Sequence, residues 1–298
     1  MKSFIKYPGG KRWLADILAN RLFRESVSGC YTEPFLGGGS MFFAVQPAYL
    51  SWINDVNPHV IRLFKRVQDS WEAVVGETKI LMWAYNSKDA EGQAELFYDV
   101  RKLYNADTVT LASGGRVATS TVQASRFLFL LRSCFNGLIR FNKSGGFNSP
   151  HGKYPKISID EYTIECAAAA LGDVTITCGD FDLPVHRAGE GDVVYLDPPY
   201  HGVFSNYSAG GFSEADQERL YAAAFAAASR GAKVYASLPD IPYMRSMWLK
   251  DGVFRAYTIP VRRAISAKVS GRGNVRELLA YCGSDGLPEL SMYEEVSE

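Results

Sequence analysis

The chain has 298 residues, 47% of them hydrophobic, enough to bury a core in one large domain or in a domain with an insertion. Its 32 Lys+Arg balance 32 Asp+Glu, which argues against an indiscriminate binder of polyanions. No run of eighteen apolar residues occurs, so no membrane span is expected. The five cysteines stand singly, with no C-x-x-C pair, and the four histidines are scattered, so neither a zinc site nor a disulfide framework is expected. Met1-Lys2-Ser3-Phe4 lacks the apolar stretch of a secretion signal, and a reducing cytoplasm is the expected setting.

In chain order, the segment opens with a short glycine turn, Gly9 to Lys11, which lacks the spacing of a P-loop. Cys30 to Glu33 reads as a strand, and "YTEPFLGGGSMFF" sets three glycines between it and a helix. Glycine permits a tight turn and close backbone approach to a ligand. Leu50 to Asn54 reads as a second strand. Asp55 ends it, where an acid can accept hydrogen bonds from both ribose hydroxyls of a nucleoside. From about Asn57 to Tyr154 the apolar pattern turns helical, through Trp71, Val74 and Val75, then Phe97, Val100 and Tyr104, then Phe127 to Leu131. The stretch closes on "NKSGGFNSPHGKYPK", read as a hairpin.

Four further strands are expected at Val174 to Cys178, Val193 to Leu196, Lys233 to Ser237 and Leu278 to Tyr281. Between them Ser213 to Ser229 reads as a helix, with Ser213 as N-cap and Glu214 and Asp216 in the first turn. Strands alternating with helices imply an α/β fold with a doubly wound, mostly parallel sheet. Charge is patterned as well. Thr108 to Ile159 holds seven basic residues and no acid, and Gly252 to Arg276 holds six basic residues and no acid. These windows are either solvated faces or two surfaces that touch phosphates.

"VVYLDPPYHG" ends the strand at Leu196 on a carboxylate, two prolines and a ring. With "FIKYPGGKRWL", "EPFLGGGSMFF", "WINDVNP", "FNGLIRFNKSGGFNSPHGKY" and "PVRRAISAKVSGRGNVRELLAYC" in this order, nearly the whole chain resembles the Dam-type DNA adenine-N6 methyltransferases. The resemblance implies a Rossmann-like methyltransferase fold with an inserted helical and β-hairpin DNA-recognition domain. The catalytic domain would comprise residues 1–56 and 157–298, and the target-recognition domain residues 57–156. It implies S-adenosyl-L-methionine as cofactor, double-stranded DNA as partner, no metal, and a monomer or weak dimer on the DNA.

The chemistry implied is difficult, because the adenine N6 lone pair is delocalised into the ring. Asp197 can accept one N6 hydrogen bond and the Pro198 carbonyl the other, which localises the lone pair and stabilises developing positive charge. Pro198 and Pro199 fix the turn. Tyr200 can stack on the base, which must leave the duplex to be reached.

By the same resemblance Tyr7, Lys11, Phe35, Gly37, Gly39, Asp55, Phe181 and Asp197 surround the cofactor. Tyr7 stands where relatives carry Trp, and Phe181 reads equally as core. Lys6, Phe135, Asn136, Leu138, Arg140, Asn148, Pro150 and Lys153 match positions at a GATC site, with Phe135 in place of Tyr and Lys153 in place of Arg. Arg262 and Arg263 match a phosphate-contacting pair. A protein-amide methyltransferase usually carries Asn where Asp197 stands and has no use for the long basic insertion. An RNA methyltransferase is a further reading. The intact Asp197-Pro198-Pro199-Tyr200 speaks against an inactive DNA-binding relative.

Overall fold

Runs of β-branched and aromatic residues, each closed by Gly, Pro, Asn or Asp, assemble into one sheet. The structure, a computed structural model, describes residues 1–7, 11, 14–15, 17–19, 28–46, 50–112, 120–199, 212–262, 274–282 and 293–296. Strands β1 (Tyr31–Glu33), β2 (Ser51–Asp55), β3 (Thr175–Cys178), β4 (Val193–Leu196), β5 (Lys233–Pro239), β6 (Arg255–Arg262), β7 (Asn274–Tyr281) and β8 (Glu294–Val296) lie in the order β3-β2-β1-β4-β5-β7-β6-β8. The first five are parallel and the last three antiparallel. All four residues of β4 are buried, as a parallel strand covered on both faces requires. Chain order runs outward from β1 through β2 to β3, and from β4 to β5 in the opposite direction. The switch point therefore lies between the carboxyl ends of β1 and β4, where loops part and leave a crevice.

The six expected strands are present, and β6 and β8 were not expected. In β6, Tyr257 and Ile259 bury into one hydrophobic cluster and Ala256 into the other. A strand buried on both faces shows no alternation, and the basic window around it masked the apolar run.

Helices cover both faces: α1 (Ser40–Val45), α2 (Pro58–Asn86), α3 (Ala90–Ala112), α4 (Thr121–Ser133), α5 (Glu161–Leu171), α6 (Asp182–Arg187), α7 (Glu214–Ser229) and α8 (Pro242–Trp248). The α2 N-terminus is capped by Asn57, whose side chain accepts from the His59 amide, with Pro58 in the first turn. At α7, Ser213 and Asp216 form a reciprocal capping box. One hydrophobic cluster runs without a break from Phe4 and the inner sheet residues Tyr31 and Ile53 through Phe64 and Val67 of α2 to Phe127 of α4 and Phe147 beyond it. The opposite sheet face packs on Val185 of α6, Leu220 of α7 and Trp248 of α8.

After α4 the chain folds back on itself. Cys134 bridges His151 and Phe141 bridges Phe147, both antiparallel. The Phe135 amide donates to the Pro150 carbonyl at 2.9 Å, and the Asn148 amide to the Arg140 carbonyl at 2.9 Å. His59 stacks on Phe141 at 4.1 Å and 17° and shares a 2.6 Å hydrogen bond with the Tyr104 hydroxyl. Burial pushes its imidazole down to about 3, so it packs as a neutral ring that fixes the hairpin on α2 and α3.

Candidate active site

The loops after β1, β2, β3 and β4 come together on the carboxyl side of the sheet around the switch point. After Glu33 the chain turns sharply. The Leu36 amide donates to the Asn54 carbonyl at 2.8 Å and the Gly39 amide to the Leu36 carbonyl at 2.7 Å. Gly37 and Gly39 take φ of 49° and 68°, a region that side-chain-bearing residues rarely occupy. Tyr7 lies against this loop, since a Cβ on Gly37 would stand 3.1 Å from its ring.

Asp55 is buried beside the loop. One carboxylate oxygen accepts from the Gly37 amide at 2.7 Å and the other from the Asn57 amide at 2.8 Å. Burial raises its pKa, and these two bonds oppose the rise. Each oxygen keeps a lone pair for a further donor. Asn54 ties the loops together, its Nδ2 reaching the Pro34 carbonyl at 3.1 Å and the Gly179 carbonyl at 2.9 Å. Beyond Gly179, Phe181 stacks on Phe35 at 5.4 Å and 29°. Phe212 meets both rings, and the Arg219 guanidinium lies 5.0 Å from the Phe181 centroid. A buried carboxylate, a glycine loop and aromatic rings at the carboxyl ends of neighbouring strands form a set of groups that could hold a nucleoside.

Asp197 follows β4 directly, with its side chain 21% exposed. Lys11 Nζ stands 3.4 Å from its Oδ1 and 3.3 Å from Oε1 of Glu277 on β7. Burial pushes the Asp197 carboxyl up to about 6; Lys11 pulls it down and Glu277 pushes it further up. Glu33 is buried and accepts from the Tyr31 hydroxyl at 2.9 Å. Burial first, then the charges of Asp197 and Asp55, push it up to about 8, against the Tyr31 bond. At neutral pH Glu33 is therefore a neutral acid beneath the site. The Pro199 carbonyl accepts from Gln217 of α7 at 3.4 Å, which fastens the prolyl turn to the helix behind it. Tyr200 and Arg263 lie outside the described residues, as does the side chain of Arg262.

The expected DNA-facing residues gather along the hairpin. Phe135 is half exposed, and Asn136, Arg140, Asn148, Pro150 and Lys153 are exposed. Leu138 is half-buried. Asn136 holds φ at 56° and its amide donates to the Tyr154 hydroxyl at 3.0 Å. The Lys6 stem lies 3.4 Å from where a Cβ on Gly137 would stand, so the N-terminal segment meets the turn at Phe135–Gly137. An adjoining cleft of about 200 Å³ is lined by Lys6, Arg132, Tyr154 and Lys156, among others.

Sequence reading did not single out Glu33, Asn54, Gln217, Tyr154 or Glu277. For Glu277 a signal was present, because it is a lone acid beside the apolar Leu278-Leu279-Ala280 of a strand. Among the described residues no group of three His, Cys, Asp or Glu could hold a metal ion, and no helix is long and apolar enough to cross a membrane.

Residues 7–265 match the family model described as D12 class N6 adenine-specific DNA methyltransferase. Over 95% of its length the chain is 30% identical to a retron DNA adenine methylase of Escherichia coli, covering 92% of that protein. It is 31% identical to a DNA adenine methylase of Serratia marcescens, across 94% of this chain and 97% of that one. A DNA N-6-adenine-methyltransferase of Escherichia phage P1 is 32% identical over 93% of this chain, which spans only 35% of that longer protein.

Proposed function

The chain belongs to the D12 class N6 adenine-specific DNA methyltransferase family, and from that premise we propose that it methylates the adenine of GATC in duplex DNA, at a base turned out of the helix. The observation that carries the reading is the placement of Asp197. It stands at the carboxyl end of β4, across the switch point from the glycine loop and Asp55, with its charge supported by Lys11.

S-adenosylmethionine, when bound, supplies a methyl group on a sulfonium, a good leaving group. The residues do the rest. Asp55 accepts from the ribose hydroxyls with its remaining lone pairs, while its bonds to the Gly37 and Asn57 amides hold the carboxylate in place. Gly37 and Gly39 let the backbone approach the methionine end, and Tyr7 closes over them. Phe35 offers a ring face to the adenine of the donor, backed by the buried Phe181 stacked on it. Asp197 and the Pro198 carbonyl accept hydrogen bonds from the two hydrogens of the target amine, drawing its lone pair toward the methyl group and stabilising the charge that develops on nitrogen, which is discharged when one of those hydrogens leaves as a proton. Gln217 restrains the turn that presents these acceptors, and Tyr200 stacks on the base.

Residues 57–156 serve as the recognition region, with residues 1–56 and 157–298 as the catalytic part. Phe135 is aromatic, half exposed and fixed by its backbone bond to Pro150, the form of a wedge that holds a base step open. Arg140 and Lys6 read base edges, Leu138 and Pro150 pack on a thymine methyl, and Asn136, Asn148, Lys153, Arg262 and Arg263 hold the backbone. The test is transfer of a tritium-labelled methyl group to duplexes carrying GATC or its single-base variants, with the labelled base identified. Label on the adenine of GATC, and little elsewhere, is the expected result. Equal labelling of all duplexes contradicts the site, and labelling of RNA or protein in place of DNA contradicts the substrate.

A further inference from the structure

An acid in the middle of a sheet needs a reason. Glu277 sits in β7, opposite Pro239 of β5 and Ile259 of β6, and its side chain is 7% exposed. Residues placed there for packing alone are apolar, as Leu278, Leu279 and Ala280 are. A buried carboxylate is costly unless it is paired. Its partner Lys11 comes from the far end of the chain, 266 residues away, and is itself 6% exposed. The same ammonium faces Asp197 at 3.4 Å. One buried cation thus stands between two carboxylates.

We propose that Glu277 is a positioning residue for methyl transfer, holding the Lys11 ammonium against Asp197 and setting the charge environment of that carboxylate. The inference rests on Asp197 as the acceptor of the target amine. Among the described residues three groups face Asp197: Lys11 from the N-terminal segment, Glu277 from β7, and Glu33 from β1, the last bonded to Tyr31. Glu33 is largely protonated at neutral pH, so Lys11 and Glu277 carry the formal charges that set Asp197. They act in opposite directions. Lys11 favours the ionised carboxylate, and Glu277, within about 7 Å of it through the shared ammonium, opposes ionisation.

Glu277→Gln keeps the shape and an oxygen that can accept from Lys11, and removes the charge. The acid limb of the single-turnover rate is expected to move down by about one pH unit, opposite to the displacement expected on removing Lys11. A folded variant whose rate falls equally at every pH, with the limb unmoved, overturns the proposal, because a merely structural role predicts that pattern. Glu277→Asp retains the charge and draws it back by one methylene. Because the Lys11 ammonium is drawn from Asp197 with it, its limb should move up by a fraction of a unit, with KM for DNA and for S-adenosylmethionine constant. An unmoved limb in a folded Glu277→Asp variant overturns the proposal even where the Gln variant does not fold. Asp197→Ala, which removes the acceptor oxygens altogether, separates the two claims. Retained turnover in that variant sinks the acceptor role itself, whereas loss of turnover there, with an unmoved limb in Glu277→Gln, sinks only the role of Glu277.

Discussion

Removing the Lys11 charge should move the pH profile of methyl transfer upward. In the proposed reaction Asp197 accepts a hydrogen bond from the amine in its ionised form. Its carboxyl is held up at about 6, so that form is complete well above pH 6 and is lost as pH falls through it, about tenfold per unit below. Lys11→Met keeps the length of the stem and deletes the ammonium 3.4 Å away. Two unit charges at that distance attract by about 5 kcal/mol at an effective dielectric constant of about 20. Glu277 shares the same ammonium, and water reaches part of the Asp197 side chain, so between a quarter and a half of that remains. At about 1.4 kcal/mol per unit this is a rise of about one to two units. Single-turnover rates at saturating DNA and S-adenosylmethionine, from pH 5 to 9, should show the limb near pH 7 to 8, with the rate recovering at pH 9. A limb that stays near 6, or moves lower, in a variant that melts like the parent refutes the electrostatic reasoning.

Three further outcomes are expected. Asp55→Asn should weaken S-adenosylmethionine binding by about 1.5–3 kcal/mol through loss of charge-assisted hydrogen bonds; calorimetry would show it, and an unchanged dissociation constant would reduce Asp55 to a brace for the glycine loop. Glu33→Gln should stabilise the protein only at higher pH. The parent carboxyl is raised from 4.5 to about 8, so its stability is greatest below pH 4.5 and declines as pH rises through 8, by a few kcal/mol at most. Melting curves of parent and variant should diverge between pH 5 and 8.5, and curves that keep a constant offset argue against a neutral Glu33. Arg140→Ala should cost about 1–3 kcal/mol at one base pair and relax choice there; a uniform loss across all sequences, with a shallower salt dependence, would make Arg140 a phosphate contact.

The sheet was legible where short apolar runs ended on turn residues, as at β1, β2 and β4, because parallel strands carry their pattern locally. The Ser213 cap and the hairpin after α4 were legible for the same reason, since cap and turn chemistry is read from a few adjacent letters. The glycine loop, Asp55 and Asp197 were found as motifs, and the structure sets the three at the carboxyl ends of the neighbouring parallel strands β1, β2 and β4. Other features depend on contacts that sequence does not record. Glu33 looks like part of a loop motif until it is seen buried on Tyr31. Asn54 reads as a strand-end residue until its side chain is seen bridging two loops. Glu277 meets Lys11 only because β7 inserts antiparallel beside β5, bringing the two ends of the chain together. No periodicity along the chain contains that pairing.

The central claim is that Asp197 accepts the target amine, and Asp197→Ala tests it most directly. Labelled methyl transfer to a GATC duplex and affinity for the same duplex should be measured side by side. The expected result is a loss of about a hundredfold or more in single-turnover rate with DNA affinity retained, because the proposed phosphate contacts lie on the hairpin and the basic windows. Near-parental turnover in a folded, DNA-binding variant would contradict the account.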